Sequence, residues 1–207
     1  MFKDHFKKIS ITATSMIIFS FIASTALSIS YFITKSPIDE SDAKAKKIFL
    51  NQVISANLYD NDLVKDTISA EPSQLLGNKK NIEIYRAKIK NKVVAVIIES
   101  IAPDGYSGEI KTLVGIDHEN KVLGVRVINH KETPGLGDYI EIEKSKWIKN
   151  FDNTSLEKIT ENHWAVKKDG GEFDYTTGAT ITPRAVIKST YKTLLYAKEN
   201  KQRLFAL

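Results

Sequence analysis

IEIYRAKIKNKVVAVII, residues 82–98, carries two hydrophobic periods side by side. Residues 82–90 alternate apolar with polar, the pattern of a strand with one face on a core. Residues 93–98 are apolar without a break, which suits a buried strand. Asn91-Lys92 between them suggests a hairpin. Two more strands are expected at 110–116 and 122–128, separated by the turn-rich Asp117-His118-Glu119-Asn120. Helical spacing marks 43–58 through Ile48, Phe49, Val53 and Ile54, and 139–151 through Ile140, Trp147, Ile148 and Phe151. A long helix is expected from Pro183 to about Gln202. Strands in the middle with helices at both ends predict an α+β domain, a largely antiparallel sheet with flanking helices.

Outward from that domain, residues 9–34 contain no charged side chain. At about 1.5 Å per residue, a helix of that length exceeds the roughly 30 Å of hydrocarbon in a bilayer. A cleaved signal peptide is the competing reading, from the basic Lys3, Lys7 and Lys8 and the small residues at Ala26-Leu27-Ser28. Signal cores run only about 7 to 15 residues, whereas this one continues through Tyr31, Phe32 and Ile33. An uncleaved anchor is therefore expected, broken by Ser36-Pro37. Lys3, Lys7 and Lys8 precede it, while Lys35 after it is soon offset by Asp39, Glu40 and Asp42, so the positive-inside rule puts the N-terminus in the cytoplasm and the main domain outside it. Ser20, Ser24 and Ser28 lie on one stripe, which suits close approach of another membrane helix and equally suits a lone anchor. The resulting division is 1–8 cytoplasmic, 9–34 transmembrane, 35–80 amphipathic helix and linker, and 81–207 extracytoplasmic domain.

The 207-residue chain has no cysteine, which excludes disulfides and thiolate-ligated metal clusters. Its four histidines lack short metal-ligand spacing. The net charge of +5 is dispersed, and no basic run with interleaved aromatics supports a nucleic-acid partner. Neither G-x-x-x-x-G-K-S/T nor G-x-G-x-x-G after a strand is present, nor is the hydrolase pattern G-x-S-x-G. His130 with Glu132 could serve as base and orienter for a hydroxyl, though such a pair is usually only solvated.

Three glycine-bearing loops remain, at 102–108, 130–137 and 174–180, where glycine permits close approach to a flat or phosphorylated ligand. The last, DYTTGAT, runs into a helix start in which Thr182 reads as N-cap and Pro183 as the first helical residue. Backbone N–H groups there would face Thr180 and suit an anion. A plain turn before a capped helix explains the same residues.

DYTTGAT at 174–180 also resembles the D-x-x-S/T-G-A-T/S motif of proteins that carry FMN covalently, through its phosphate, on the last Thr or Ser. HKETPGLG at 130–137 resembles a second loop of the same group. With APDGYSG at 102–108, HWAVKKDGG at 163–171 and ITPRAV at 181–186, the chain resembles the G subunit of the Rnf (also called Rsx) ion-translocating electron transport complex over most of its length. The C subunit of the sodium-translocating NADH:quinone reductase shares the flavin motif, but the shorter chain and the 163–171 stretch point to the Rnf protein. A flavin-free scaffold subunit is the alternative of a different class.

The resemblance implies an electron-relay subunit of the inner membrane, a redox component of a translocase with no complete activity alone. Other membrane subunits of the complex would be its partners. Thr180 would carry the FMN, attached by a separate flavin transferase that uses FAD and recognises the motif beginning at Asp174. Thr177, Gly178 and Ala179 would shape the turn. Glu132, Thr133, Pro134, Gly135, Leu136 and Gly137 would wall the flavin site, with Lys131 placed to favour an anionic reduced flavin.

Overall fold

The computed structural model describes the backbone of residues 2–206, and their side chains except at 2–8, 10, 39, 40, 42 and 43. The chain divides into two compact units, Met1–Ala45 and Lys46–Leu207. Helix α1 (Phe2–Val53) makes up the first unit and lends its last residues to the second. Its segment Ile11–Ile38 has a mean hydropathy of 1.9 and is long and apolar enough to cross a membrane. The hydroxyls of Ser15, Thr25, Ser28 and Thr34 bond back to their own helix, as in Ser15 to the Ile11 carbonyl at 2.9 Å and Ser28 to the Ser24 carbonyl at 2.9 Å. These four are thereby satisfied within α1. The expected break at Ser36-Pro37 does not occur, because α1 runs through Pro37. Proline removes a single ladder donor, which a long helix tolerates. The charged flanks Lys3, Lys7, Lys8, Asp39, Glu40 and Asp42 lie outside the described side chains.

In the second unit the strands form an antiparallel meander in sequence order: β1 (Thr67–Ala70), β2 (Ile82–Ile89), β3 (Lys92–Gly105), β4 (Gly108–Asp117) and β5 (Val122–Asn129). The β2–β3 turn is Lys90-Asn91, with φ of 49° and 65°, one residue earlier than expected. Two left-handed residues match the strand twist that a two-residue hairpin requires. β3 is central, and its alternate side chains enter two separate cores. Val96 and Ile98 join the cluster that includes Val186 and Leu194 of helix α2 (Ile181–Glu199). Ala95 and Ile97 face the other way, against Leu50, Val53, Ile54 and Leu63. Burial on both faces is why residues 93–98 are apolar without alternation.

The second core moves the domain boundary. Residues 46–80, read as helix and linker, supply Leu50 to Leu63 and strand β1, so the compact unit begins at Lys46 rather than at 81. The helix expected over 43–58 stops at Val53, since Ser55 is extended (φ −60°, ψ 137°) and a 3-10 turn follows. It buries Leu50, whereas Ile48 is exposed. The helix expected over 139–151 is two 3-10 turns, Asp138–Ile140 and Lys146–Phe151. Extended Ser145 separates them and accepts the Trp147 N–H, starting the second turn afresh. Trp147, Ile148 and Phe151 are still buried, because one short turn presents that spacing as well as a helix does.

Two local devices join these layers. Gly124 pairs with Gly115 across β4 and β5, and a Cβ at Gly124 would stand 2.7 Å from the Val53 carbonyl oxygen. The missing side chain lets the end of α1 lie directly on the sheet. At the opposite edge, Asp66 accepts from Arg86 Nε at 2.9 Å and Arg86 Nη2 at 2.8 Å, and pairs with Lys88 Nζ at 2.5 Å. Burial disfavours the charged carboxylate, but the hydrogen bonds from Lys88 and Arg86 outweigh it and hold Asp66 below its usual range.

Gly124→Val should lower the unfolding free energy by about 1–3 kcal/mol by overpacking, as read from urea titration of the full chain in detergent. Asp66→Asn should cost about 1–2 kcal/mol at neutral pH. A depressed folded pKa adds stability above the unfolded pKa and loses it as pH falls through the folded one. The gap between Asp66→Asn and wild type should therefore close as pH falls below the usual carboxylate range, and a gap that is flat in pH would refute the assignment.

Candidate functional site

At one end of the sheet, three loops converge. The β3–β4 hairpin closes with Gly105 opposite Gly108, leaving Tyr106 and Ser107 at its tip. Residues 130–137 leave β5, and residues 174–180 lead into α2. Between them lies a cleft of about 350 Å3 lined by Tyr106, Leu136, Gly178, Thr180, Ile181 and Thr182, with Glu132, Thr133, Gly137 and Ala179 completing the wall. Three loops far apart in sequence thus meet at one cavity, within the size range of small-molecule sites.

Glu132 ties the loops together. Its side chain is 4 % exposed, Oε1 accepts the Ser107 N–H at 2.9 Å, and Oε2 accepts from the Thr182 hydroxyl. One carboxylate thus joins the hairpin tip, its own loop and the first turn of α2. Gly137 makes room for it: a Cβ there would lie 2.9 Å from Thr182 Oγ1 and 3.0 Å from Glu132 Cβ. The rest of that loop is a turn in which Leu136 and Gly137 donate to the Thr133 carbonyl at 3.1 Å and 3.0 Å. Buried Asp138 accepts the Gly135 N–H at 2.8 Å and anchors it from below.

The third loop rests on aromatic residues. Trp147 Nε1 donates to the Asp174 carbonyl at 2.6 Å, and the Tyr139 hydroxyl donates to the Ala179 carbonyl at 3.2 Å. Burial pushes the Tyr139 phenol above its usual pKa, against a hydrogen bond from Thr176, which keeps it a donor at neutral pH. Tyr139, Trp147, Phe151, Phe173 and Trp164 pack in series, the first two contacts edge-on and the others tilted, with centroids 5.5, 5.5, 4.7 and 5.3 Å apart. This packed floor gives the turn Thr176 to Ala179, with Gly178 at φ 89°, a fixed position.

Thr180 occupies the N-cap position of α2, half-buried, with φ −91° and ψ −21°. Among the described residues nothing engages its hydroxyl, which does not cap the helix. Thr182, expected as the N-cap, instead lies inside the first turn, with its hydroxyl donating to Glu132. The helix N-terminus still meets the cleft at Thr180, Ile181 and Thr182, where its free N–H groups suit an anion. Around it, Tyr106, Leu136 and Ile181 are 68 %, 48 % and 46 % exposed, an apolar rim left open to solvent.

Of the residues singled out from sequence, Thr180, Gly178, Ala179, Glu132, Thr133, Leu136 and Gly137 line the cleft. Asp174, Thr177, Pro134 and Gly135 do not; the Asp174 carboxylate is paired with Lys167 at 2.6 Å on the surface. Lys131 is exposed and outside the lining. His130 does not meet the Glu132 carboxylate; its Nε2 lies 2.5 Å from Glu141 Oε1. Sequence reading passed over Tyr106, Ile181 and Thr182 as wall residues. A large apolar Ile181 immediately after a polar glycine turn is a signal that could have found one of them.

Comparison with known proteins matches residues 105–194 to the FMN-binding domain family. Among relatives, the G subunit of the ion-translocating oxidoreductase complex of Aliivibrio fischeri (strain MJ11) is 44 % identical over 90 % of this chain and 89 % of its own. The proteins of the same name from Buchnera aphidicola subsp. Baizongia pistaciae (strain Bp) and Photorhabdus laumondii are 43 % and 49 % identical, over 95 % and 84 % of this chain and 91 % and 83 % of theirs. In fold, the crystal structure of Shewanella oneidensis NqrC is similar, with a TM-score of 0.50 at 21 % identity over 74 % of this chain and 78 % of that one. Identity at this level across nearly the full length goes beyond a shared fold: the chain belongs to the G-subunit family of ion-translocating oxidoreductase complexes.

Proposed function

We propose that this protein is an electron-relay flavoprotein subunit of an ion-translocating oxidoreductase complex and carries FMN as a phosphoester on Thr180. The observation behind this reading is the convergence of both flavin-motif loops on one cleft, with an unengaged Thr180 hydroxyl at a helix N-terminus. The cleft fits the group: the phosphate would lie by the N–H groups of Ile181 and Thr182, and a flat ring system against Leu136, Ile181 and Tyr106. G-subunit relatives at 43–49 % identity favour this assignment over an NqrC-type protein at 21 %.

Bound FMN would supply one- and two-electron transfer. The chain's own residues hold the attachment point still and leave one side of the cleft open to a redox partner. A flavin transferase would act on the exposed motif, where Thr176, Thr177 and Gly178 are accessible. The Thr180 hydroxyl oxygen would attack the FMN-side phosphorus of FAD, with loss of its proton and departure of AMP. The ester keeps the cofactor in the periplasm, where free FMN would diffuse away. An N-terminus-in, single-pass topology, with Ile11–Ile38 in the inner membrane beside the other subunits, fits this division of labour.

Thr180→Val, co-produced with the transferase, should lose the FMN-sized mass increment and the denaturation-resistant fluorescence of wild type while keeping its fold. An unmodified wild type, with the transferase active on a control, would refute the flavoprotein reading and leave a scaffold. Glu132→Ala should lower stability by about 1–3 kcal/mol by orphaning the Ser107 N–H and Thr182 hydroxyl. Glu132→Gln, which retains one acceptor oxygen, should fall between Glu132→Ala and wild type in the same denaturant titration.

A further inference from the structure

His130 lies beside the cleft without lining it. Its Nδ1 accepts the backbone N–H of Glu132 at 3.0 Å, and its Nε2 faces Glu141 Oε1 at 2.5 Å. A nitrogen that accepts an N–H bond has no proton, so the proton is on Nε2 and is donated to Glu141. The imidazole is 11 % exposed, and both of its nitrogens are engaged in this one tautomer. The residue whose backbone it grips is the one whose carboxylate reaches Ser107 and Thr182.

We propose that His130 is a positioning residue for the cleft: its Nε2-protonated imidazole, oriented by Glu141, fixes the Glu132 backbone and through it the carboxylate that holds the three loops together. Its bearing on a flavin rests on the function proposed above; its bearing on the cleft does not. Glu141 orients the ring at Nε2, and with Glu143 it lines the adjoining cavity of about 390 Å3. The other groups facing His130 there, Phe49 from the end of α1 and Val127, Ile128 and Asn129 from β5, are uncharged. On its own loop Lys131 is exposed, and Glu132 turns its carboxylate away toward Ser107 and Thr182.

Two substitutions separate the nitrogens. In His130→Asn the side-chain oxygen can stand where Nδ1 stood, preserving the acceptor. His130→Gln reaches the Nε2 position and loses that acceptor. Hydrogen exchange of the Glu132 and Ser107 amides, corrected for intrinsic rates, is measured on the unflavinylated full chain in detergent.

His130→Asn should keep wild-type protection at both amides, and His130→Gln should lose roughly tenfold at both. In flavinylated protein, the absorbance maximum and midpoint potential should follow the same order. Wild-type protection in His130→Gln, or protection lost in His130→Asn, would overturn the proposal. If His130→Gln unfolds globally, retention or loss of protection in His130→Asn decides alone. Should Thr180 carry no flavin while the amides behave as expected, the flavin reading falls and the positioning role stands.

Discussion

A carboxylate withdrawn from water must have its oxygens satisfied, and Glu132 meets that requirement by reaching out of its own loop on both sides. Oε1 holds the tip of the β3–β4 hairpin at Ser107, and Oε2 holds the first turn of α2 at Thr182. The cleft exists because these segments cannot separate without leaving a buried charge unpaired. Several local features then follow from crowding. Gly137 has no space for a side chain beside Glu132, and Thr182 is unavailable as a helix cap. Thr180 stands at the N-cap position, and among the described residues nothing engages its hydroxyl.

Beneath the cleft, the structure is rigid for ordinary reasons. The central strand is covered on both faces, by α2 on one and by the end of α1 with residues 54–63 on the other. Ser100 and Ser189 share a buried hydrogen bond of 2.6 Å, and Thr190 and Thr193 bond to their own helix, so small hydroxyl residues let α2 approach the sheet with no polar group stranded. The aromatic series from Tyr139 to Trp164 supports the 174–180 loop from the other side. The attachment proposed at Thr180 would benefit from a point that does not move, and this scaffold holds the 174–180 loop in place while the apolar rim of Tyr106, Leu136 and Ile181 stays open.

Much of the fold was legible in the chain. Strands β2 to β5 and the long helix α2 follow from period and run length, since both record burial of local side chains. Less legible were β1, too short for a period to emerge in four residues, and the helix assigned to 139–151. There the spacing of Ile140, Trp147 and Phe151 reports burial but not the turn type that achieves it. Gly115 and Gly124 gave no hint of their purpose, because the atom they accommodate belongs to Val53, some seventy residues away for Gly124.

The amino-acid sequence by itself determined which segments would be buried, which could cross a membrane, and which loops carried the motifs of a flavin-bearing family. Those properties are local: they depend on neighbouring residues and on the solvent each side chain prefers. Only the tertiary structure decided that the carboxylate of Glu132, and not the His130 ring beside it, would be the link among the loops. The fold likewise decided that Asp174 would turn to Lys167, and that Tyr106 and Ile181 would complete the wall. Hydrogen-bond partners of a buried group are chosen by what the whole chain brings within about 3 Å, and no window of sequence contains that information.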